Sequence, residues 1–251
     1  MKRKVLISIF VFFWGIAGLG LSACSNNPPS TESPPIDNIN YSENLAYTIS
    51  DDETYYIVRG LGLCSDKDII IPPTYNNLPI LEIGANAFEK ESITSVSFPK
   101  NVSVIGKKAF SECPNLTQIT LGKDITTIES NAFYKCSKLS LIDFGNNPLN
   151  ISQYAFYLCE NLTSIDLGST ISIGAYAFCG CDNLASVKMS ECITYVSESA
   201  FDGCSDLEYN HYDGCTYLGN DTCKYIALFE GDKSLSSCSI QSGTRLIVAE
   251  A

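Results

Sequence analysis

Histidine is almost absent from this chain: 251 residues contain one, His211. Catalytic arrangements that need an imidazole, Ser-His-Asp or Cys-His, would have to use that residue. Its setting, Tyr209-Asn210-His211-Tyr212, is aromatic, and a surface or half-packed role is expected for it. Basic residues are scarce as well. Lys and Arg number 16 against 28 Asp and Glu, a formal net charge of −12. Such a surface repels nucleic acid and anionic lipid headgroups, so no nucleic-acid partner is expected, and solubility is the simpler reason for the charge. Glycine-rich phosphate loops, dinucleotide fingerprints and metal-ligand spacings are missing too. No cofactor, no metal and no catalytic residue is expected from what remains.

What is present is a repeat. Ala-Phe recurs at Ala87-Phe88, Ala109-Phe110, Ala132-Phe133, Ala155-Phe156, Ala177-Phe178 and Ala200-Phe201, at spacings of 22, 23, 23, 22 and 23 residues. A fixed period in the twenties marks a solenoid of stacked coils. The frame holds beyond the dipeptide: in the second copy Ile105 precedes it, and Cys113, Leu116, Ile119, Leu121, Ile125 and Ile128 follow. Leu-x-x-Ile-x-Leu reads as a short strand with alternating faces, expected at Leu116–Leu121, Leu139–Phe144, Leu162–Leu167 and Leu184–Met189. Ile-x-x-Ile begins a second extended segment, and Ala-Phe-x-x-Cys is long enough for one helical or 3₁₀ turn. A lone coil cannot offset its ordering entropy, about 1–2 kcal/mol per residue, so only the array is stable. The expected fold is a β-rich, right-handed parallel solenoid with a non-repeat N-terminal cap and a C-terminal hairpin.

The pattern Ile-Gly-x-x-Ala-Phe-x-x-Cys-x-x-Leu-x-x-Ile-x-Leu resembles the BspA-like leucine-rich-repeat surface proteins of bacteria. The likeness covers residues from about 83 to 207, with an entry segment that also resembles the family's: Tyr55 to Gly60, Ile69-Ile70-Ile71-Pro72 and Asn76 to Ile80. The resemblance implies a cell-surface display or adhesion protein and offers no catalytic residues to carry over.

The ends divide the rest. Lys2, Arg3 and Lys4 precede an apolar run from Val5 to Leu19 that holds the only tryptophan, Trp14, and then Leu21-Ser22-Ala23-Cys24. This looks like a lipoprotein signal peptide over residues 1–23, cut before a lipidated Cys24, which would place the chain on the outer face of the bacterial cell membrane. An ordinary signal peptide or an uncleaved membrane helix are the alternatives. More than one acyl chain suffices for stable anchoring. Cleavage removes three basic residues and no acidic one, leaving 13 against 28, net −15. Residues 24–44, rich in Pro, Ser and Asn, read as a tether. Extended at about 3.1 Å per residue, it reaches roughly 60 Å. A cap over 45–82 and repeats over 83–208 follow. In 209–251, strands at Tyr212–Asn220 and Lys224–Phe229 flank an Asn-Asp turn. Ile247 to Ala251 then restore the repeat frame, which reads as the start of a further, truncated repeat.

Twelve cysteines invite a disulfide or metal reading. Five of them, Cys113, Cys136, Cys159, Cys181 and Cys204, hold one place in successive coils, and their parallel Cβ vectors suit buried thiols better than bridges. Cys215 and Cys223 flank the hairpin turn and could bridge across it, whereas Cys64, Cys179, Cys192 and Cys238 have no evident partner. Asp143 and Asp166 share an outward strand position and are expected to stack about 5 Å apart. The outward columns are small and polar. One runs Thr94, Thr117, Ser140, Thr163 and Ala185; the next Ser95, Gln118, Leu141, Ser164 and Ser186; the third Ser97, Thr120, Asp143, Asp166 and Lys188. From them Ser97, Gln118, Thr120, Asp143, Ser164, Asp166 and Lys188 form the candidate binding face, flat and open, suited to a broad protein or glycan contact. The second reading is a non-catalytic stalk of a longer polypeptide whose functional module lies beyond Ala251.

Overall fold

The computed structural model describes residues 39–224, 226–231, 241 and 244–248. The signal segment, Cys24, most of the tether, Cys238 and Ala251 lie outside them. The described repeats form a β-solenoid in which each coil supplies two short parallel strands. The first kind runs Ser95–Ser97, Gln118–Thr120, Leu141–Asp143, Ser164–Asp166 and Ser186–Lys188. These strands have three residues rather than the six expected from Leu-x-x-Ile-x-Leu. The leading Leu is taken up by a turn instead, as when the Leu139 N–H donates to the Cys136 carbonyl at 2.9 Å. The second kind has two residues, at Val104–Ile105, Thr127–Ile128, Asn150–Ile151, Ser172–Ile173 and Tyr195–Val196, in the second extended segment of each coil.

Helix is absent from the described residues, and the Ala-Phe segment shows why. Its backbone alternates hand. Positive φ occurs just before the first five alanines, at Asn86, Lys108, Asn131, Tyr154 and Tyr176, and again two residues after each phenylalanine, at Lys90, Glu112, Lys135, Leu158, Gly180 and Gly203. Each is the third residue of a tight turn, where type II geometry requires that φ. A helix would turn every N–H back into its own coil. Here alternate N–H groups point along the solenoid axis instead: Lys108 donates to Ser130, Phe110 to Ala132 and Glu112 to Tyr134, and the same three bonds recur between coils.

The core of the repeats is one continuous cluster, and its centre is a ring column. Phe88, Phe110, Phe133, Phe156, Phe178 and Phe201 stack at centroid separations of 5.0–5.4 Å with planes within 5–7° of parallel. Phe98 and Phe144, where the strand frame carries Phe in its last place, set their edges against this column at 5.8 and 5.6 Å. Beside it runs the thiol column. The Phe133 carbonyl accepts the Cys136 N–H of its own coil and the Cys159 Sγ–H of the next, both at 3.2 Å. Sγ to carbonyl contacts of 3.0–3.3 Å repeat from Cys113 through Cys204. The ten described cysteines are all free, Cys215 and Cys223 among them, so no bridge spans the hairpin. Cys215 instead packs with Tyr217 and Leu228 in a small core of its own.

Both ends of the array are built from strands. Residues Tyr56–Gly60 and Leu78–Ile83 extend the two-residue ladder, which the antiparallel strand Ala46–Ile49 closes. Asp68–Ile70 is the first rung of the other sheet, paired with Ser95–Ser97. At the far end Asn210–Tyr212 and Cys215–Leu218 make a hairpin about Asp213-Gly214, and Cys215–Leu218 also pairs antiparallel with Ala227–Gly231. Leu246–Ile247 then lies parallel to Ala227–Gly231. The Asp-Gly pair has φ of 49° and 74°, the double positive φ of a two-residue hairpin turn. The later turn, near Asn220-Asp221, links Cys215–Leu218 to Ala227–Gly231.

Candidate functional site

The three-residue strands place alternate side chains on opposite sides, so Ile119, Ile142, Ile165 and Val187 are buried while their neighbours face out. Gln118, Thr120, Asp143, Ser164, Asp166 and Lys188 are exposed, and Ser97 is half-buried. Register sets the columns: Ser97 pairs with Thr120 and Thr120 with Asp143, while Asp166 pairs with Lys188. The Thr117 and Ser140 hydroxyls of the neighbouring column donate to the Thr94 and Thr117 carbonyls one coil back, at 3.1 and 3.3 Å. That column is therefore engaged in holding coils together.

No strand pairing joins Asp143 to Asp166. The sheet divides between them, into one of four strands ending at Leu141–Asp143 and one of two beginning at Ser164–Asp166. Like charges directly opposite are unfavourable across a strand pair. Each carboxylate turns instead to its own coil, Asp143 accepting the Gly145 N–H at 2.9 Å and Asp166 that of Gly168 at 3.0 Å. The coils remain close just beyond, where a Cβ on Gly168 would overlap the Gly145 carbonyl.

The face is open along its first coils but not at its last. There the hairpin and the 219–224 loop stand beside the strands and enclose a groove of about 690 Å³. Ser164, Asp166, Ser186 and Lys188 line one side, and Glu208, Asn210, Asn220, Asp221 and Lys224 the other. Lys188 joins the two: its Nζ lies 3.1 Å from Asp166 Oδ2 and 3.3 Å from Asp221 Oδ2. Hydrogen bonds to those carboxylates, Asp166 first, raise its pKa above the usual lysine value. The loop is pinned from beneath, Asn220 Nδ2 donating to the Met189 carbonyl at 3.2 Å and Asn220 Oδ1 accepting the Cys223 N–H at 2.8 Å. Thr222 Oγ1 donates to Glu191 Oε1 at 2.6 Å, and Arg245 lies 3.6 Å from the same carboxylate. Those two contacts, the Thr222 hydrogen bond first, lower the Glu191 pKa. Asp221, Asn220 and Lys224 were not among the sequence candidates, because only the tertiary position of the loop brings them to the face.

His211 is exposed on the first hairpin strand, opposite Thr216. Among the described residues no group of three His, Cys, Asp or Glu side chains is placed to hold a metal ion. Cys181 is buried with its Sγ on the Phe156 carbonyl, and its CxC neighbour Cys179 is half-buried.

Residues 81–208 match the BspA type leucine rich repeat region in six copies. The chain belongs to the BspA-type leucine-rich-repeat family. A solved leucine rich repeat protein of T. pallidum is 29% identical, with a TM-score of 0.62 over 67% of this chain and 79% of its own. A leucine rich cell surface protein from Faecalibacterium prausnitzii is 22% identical, TM-score 0.57, over 76% of this chain and 60% of that one. A leucine-rich repeat protein from Bacteroides ovatus is 24% identical, TM-score 0.54, over 68% and 46%. The chain thus spans 60% or less of the length of the latter two, and these two show the fold alone. No curated protein matches the sequence.

Proposed function

We propose that this BspA-type solenoid is a non-catalytic binding module displayed at the bacterial cell surface, with the outward strand columns and their terminal groove as the contact site for a protein or glycan. The observation that carries the reading is the groove itself: exposed Asp166, Lys188, Glu208, Asp221 and Lys224 converge on one concave surface. Hydroxyls and amides from Ser164, Ser186, Asn210 and Asn220 lie between them. Concave sites with a few convergent polar groups are where ligands bind. A lipid anchor on Cys24 and an extended 24–44 tether would present it, as the Leu-Ser-Ala-Cys sequence supports. The surface protein of Faecalibacterium prausnitzii shares the fold.

One experiment on intact cells tests display and face together. Cells making the full chain are fed an acyl-chain probe, then offered arrayed glycans and purified secreted proteins. The wild type is expected to carry the label and capture a ligand, and Cys24→Ala to lose label and retention. The combined variant Thr120→Arg, Asp143→Arg and Asp166→Arg should keep the label and lose capture. A folded triple variant that captures as well as wild type removes the strand face as the site.

A further inference from the structure

A second surface of the solenoid has the makings of a site. On the turn edge, remote in the coil frame from the strand columns, four tyrosines form one array. Tyr134 and Tyr157 stack at 5.2 Å and 6°, Tyr154 and Tyr176 at 5.1 Å and 12°, and Tyr154 meets Tyr157 edge-on at 5.6 Å. Two columns generate the array. The residue after each Phe runs Ser111, Tyr134, Tyr157, and the residue before each Ala runs Lys108, Asn131, Tyr154, Tyr176. The column after Phe changes to tyrosine one coil earlier than the column before Ala, and where the two changes meet a cleft of about 360 Å³ opens. Lys108, Ser111, Glu112, Asn131, Tyr134 and Tyr154 line it. The two stacks therefore end one coil apart, at Ser111 and at Asn131, where a further flat ring would continue them.

The backbone gives no reason of its own for tyrosine here. The place before each alanine requires positive φ, 61° at Asn131 and 56° at Tyr154 and Tyr176. Asn fits that conformation readily, whereas a bulky residue rarely adopts it. The tyrosines are held where local preference opposes them. The rest of the cleft is polar: an amide, a carboxylate, a hydroxyl and an ammonium. Glu112 and Lys108 are tied only loosely, at 3.9 Å, to Lys90 and Glu89. Tyrosine offers a rigid apolar face at small entropic cost, and adaptable polar groups beside it supply hydrogen bonds.

We infer that this cleft binds a neutral pyranose ring of a glycan chain, its C–H face against Tyr134 and Tyr154 and its hydroxyls on Asn131, Glu112 and Lys108. An aromatic peptide side chain would use the rings but leave those polar groups unpaired.

The test uses the full-length chain and a set of short neutral oligosaccharides, titrated by calorimetry and by saturation-transfer NMR. Wild type is expected to bind at least one with a dissociation constant of about 1 mM or tighter. Tyr154→Ala should weaken it about tenfold or more. Asn131→Tyr is the decisive variant: it extends the tyrosine column by one coil, fills the cleft and places tyrosine in a conformation the next coil already accommodates. It should melt like wild type and abolish sugar binding, while Lys123→Ala, at an exposed position outside both surfaces, leaves binding unchanged. No binding by wild type at that concentration, undiminished binding by Asn131→Tyr, or binding of phenol-bearing peptides but no sugar, would overturn the assignment.

Discussion

The turn edge and the strand face of this solenoid are made by the same coils and obey different rules. On the turn edge the hydrogen bonds between coils run unbroken from Phe88 to Ala200, each phenylalanine N–H donating to the alanine carbonyl of the next coil at 2.7–2.8 Å. Behind them the rings repeat without substitution, as do the thiols from Cys113 onward. On the strand face the ladder divides between Asp143 and Asp166, and the outward residues change from coil to coil. A solenoid's stability is a sum of coil and interface terms, and one continuous edge is enough to keep the array in register. The other face is then free to vary in charge and to lose pairing at one step. The repeated residues build the scaffold; the unrepeated ones are where recognition can be written.

Breaking the continuous edge should have the largest effect. Phe133 is fully buried, with Phe110 and Phe156 stacked on it at 5.2 Å each. Phe133→Ala should cost about 3–5 kcal/mol from the cavity and the lost ring contacts, measured by denaturant unfolding. Thr120→Ala, on the strand face of the neighbouring coil, should stay within about 0.5 kcal/mol. Equal losses at the two sites would erase the distinction.

A smaller effect on the same edge depends on pH. Burial raises the pKa of the Cys136, Cys159 and Cys181 thiols and pushes Cys204 up to about 12. An unfolded thiol ionises near pH 8.5. Below that value both states hold the proton and the thiols do not alter stability with pH. Above it the unfolded chain binds fewer protons, so stability falls as pH rises, until the folded thiols also ionise. Near pH 9.5 the loss is about 1.4 kcal/mol per thiol. Unfolding free energies between pH 8 and 10 should fall steeply for wild type. The decline should be shallower for Cys159→Ala with Cys181→Ala, whose tyrosines and lysines titrate as before. Parallel slopes for the two proteins would show that the thiols do not couple to folding.

What could be read beforehand follows the same division. The period, the buried phenylalanine column, the free thiols and the parallel strands were legible because each rests on a residue type recurring in one frame. The helical turn was misread because Lys108, Tyr154 and Leu158 give no hint of positive φ; only the demand for bonds between coils imposes it. The groove was invisible because Asn220 and Asp221 reach the strand face through tertiary packing. The hairpin at Asp213-Gly214 carried a readable signal, and the apolar residues after it drew attention to the later turn instead.

The smallest effect is the sharpest test of why the strand face divides. If mutual repulsion of Asp143 and Asp166 opens the ladder, removing one charge should close it, provided nothing else is lost. Asp166 is the wrong choice, because Lys188 pairs with it at 3.1 Å and would lose that partner. Asp143→Asn removes the charge and keeps a side-chain oxygen able to accept the Gly145 N–H that Asp143 Oδ1 accepts at 2.9 Å. Cross-strand pair terms are about 0.2–1 kcal/mol, so a gain near the lower end is expected. It should appear with slower hydrogen exchange at the amides of Ser164 to Asp166. Raising the salt concentration should move wild type toward the variant, since screening weakens the same repulsion. If Asp143→Asn leaves exchange unchanged, charge is not what separates these strands, and the close approach of Gly168 to the Gly145 carbonyl becomes the cause to test.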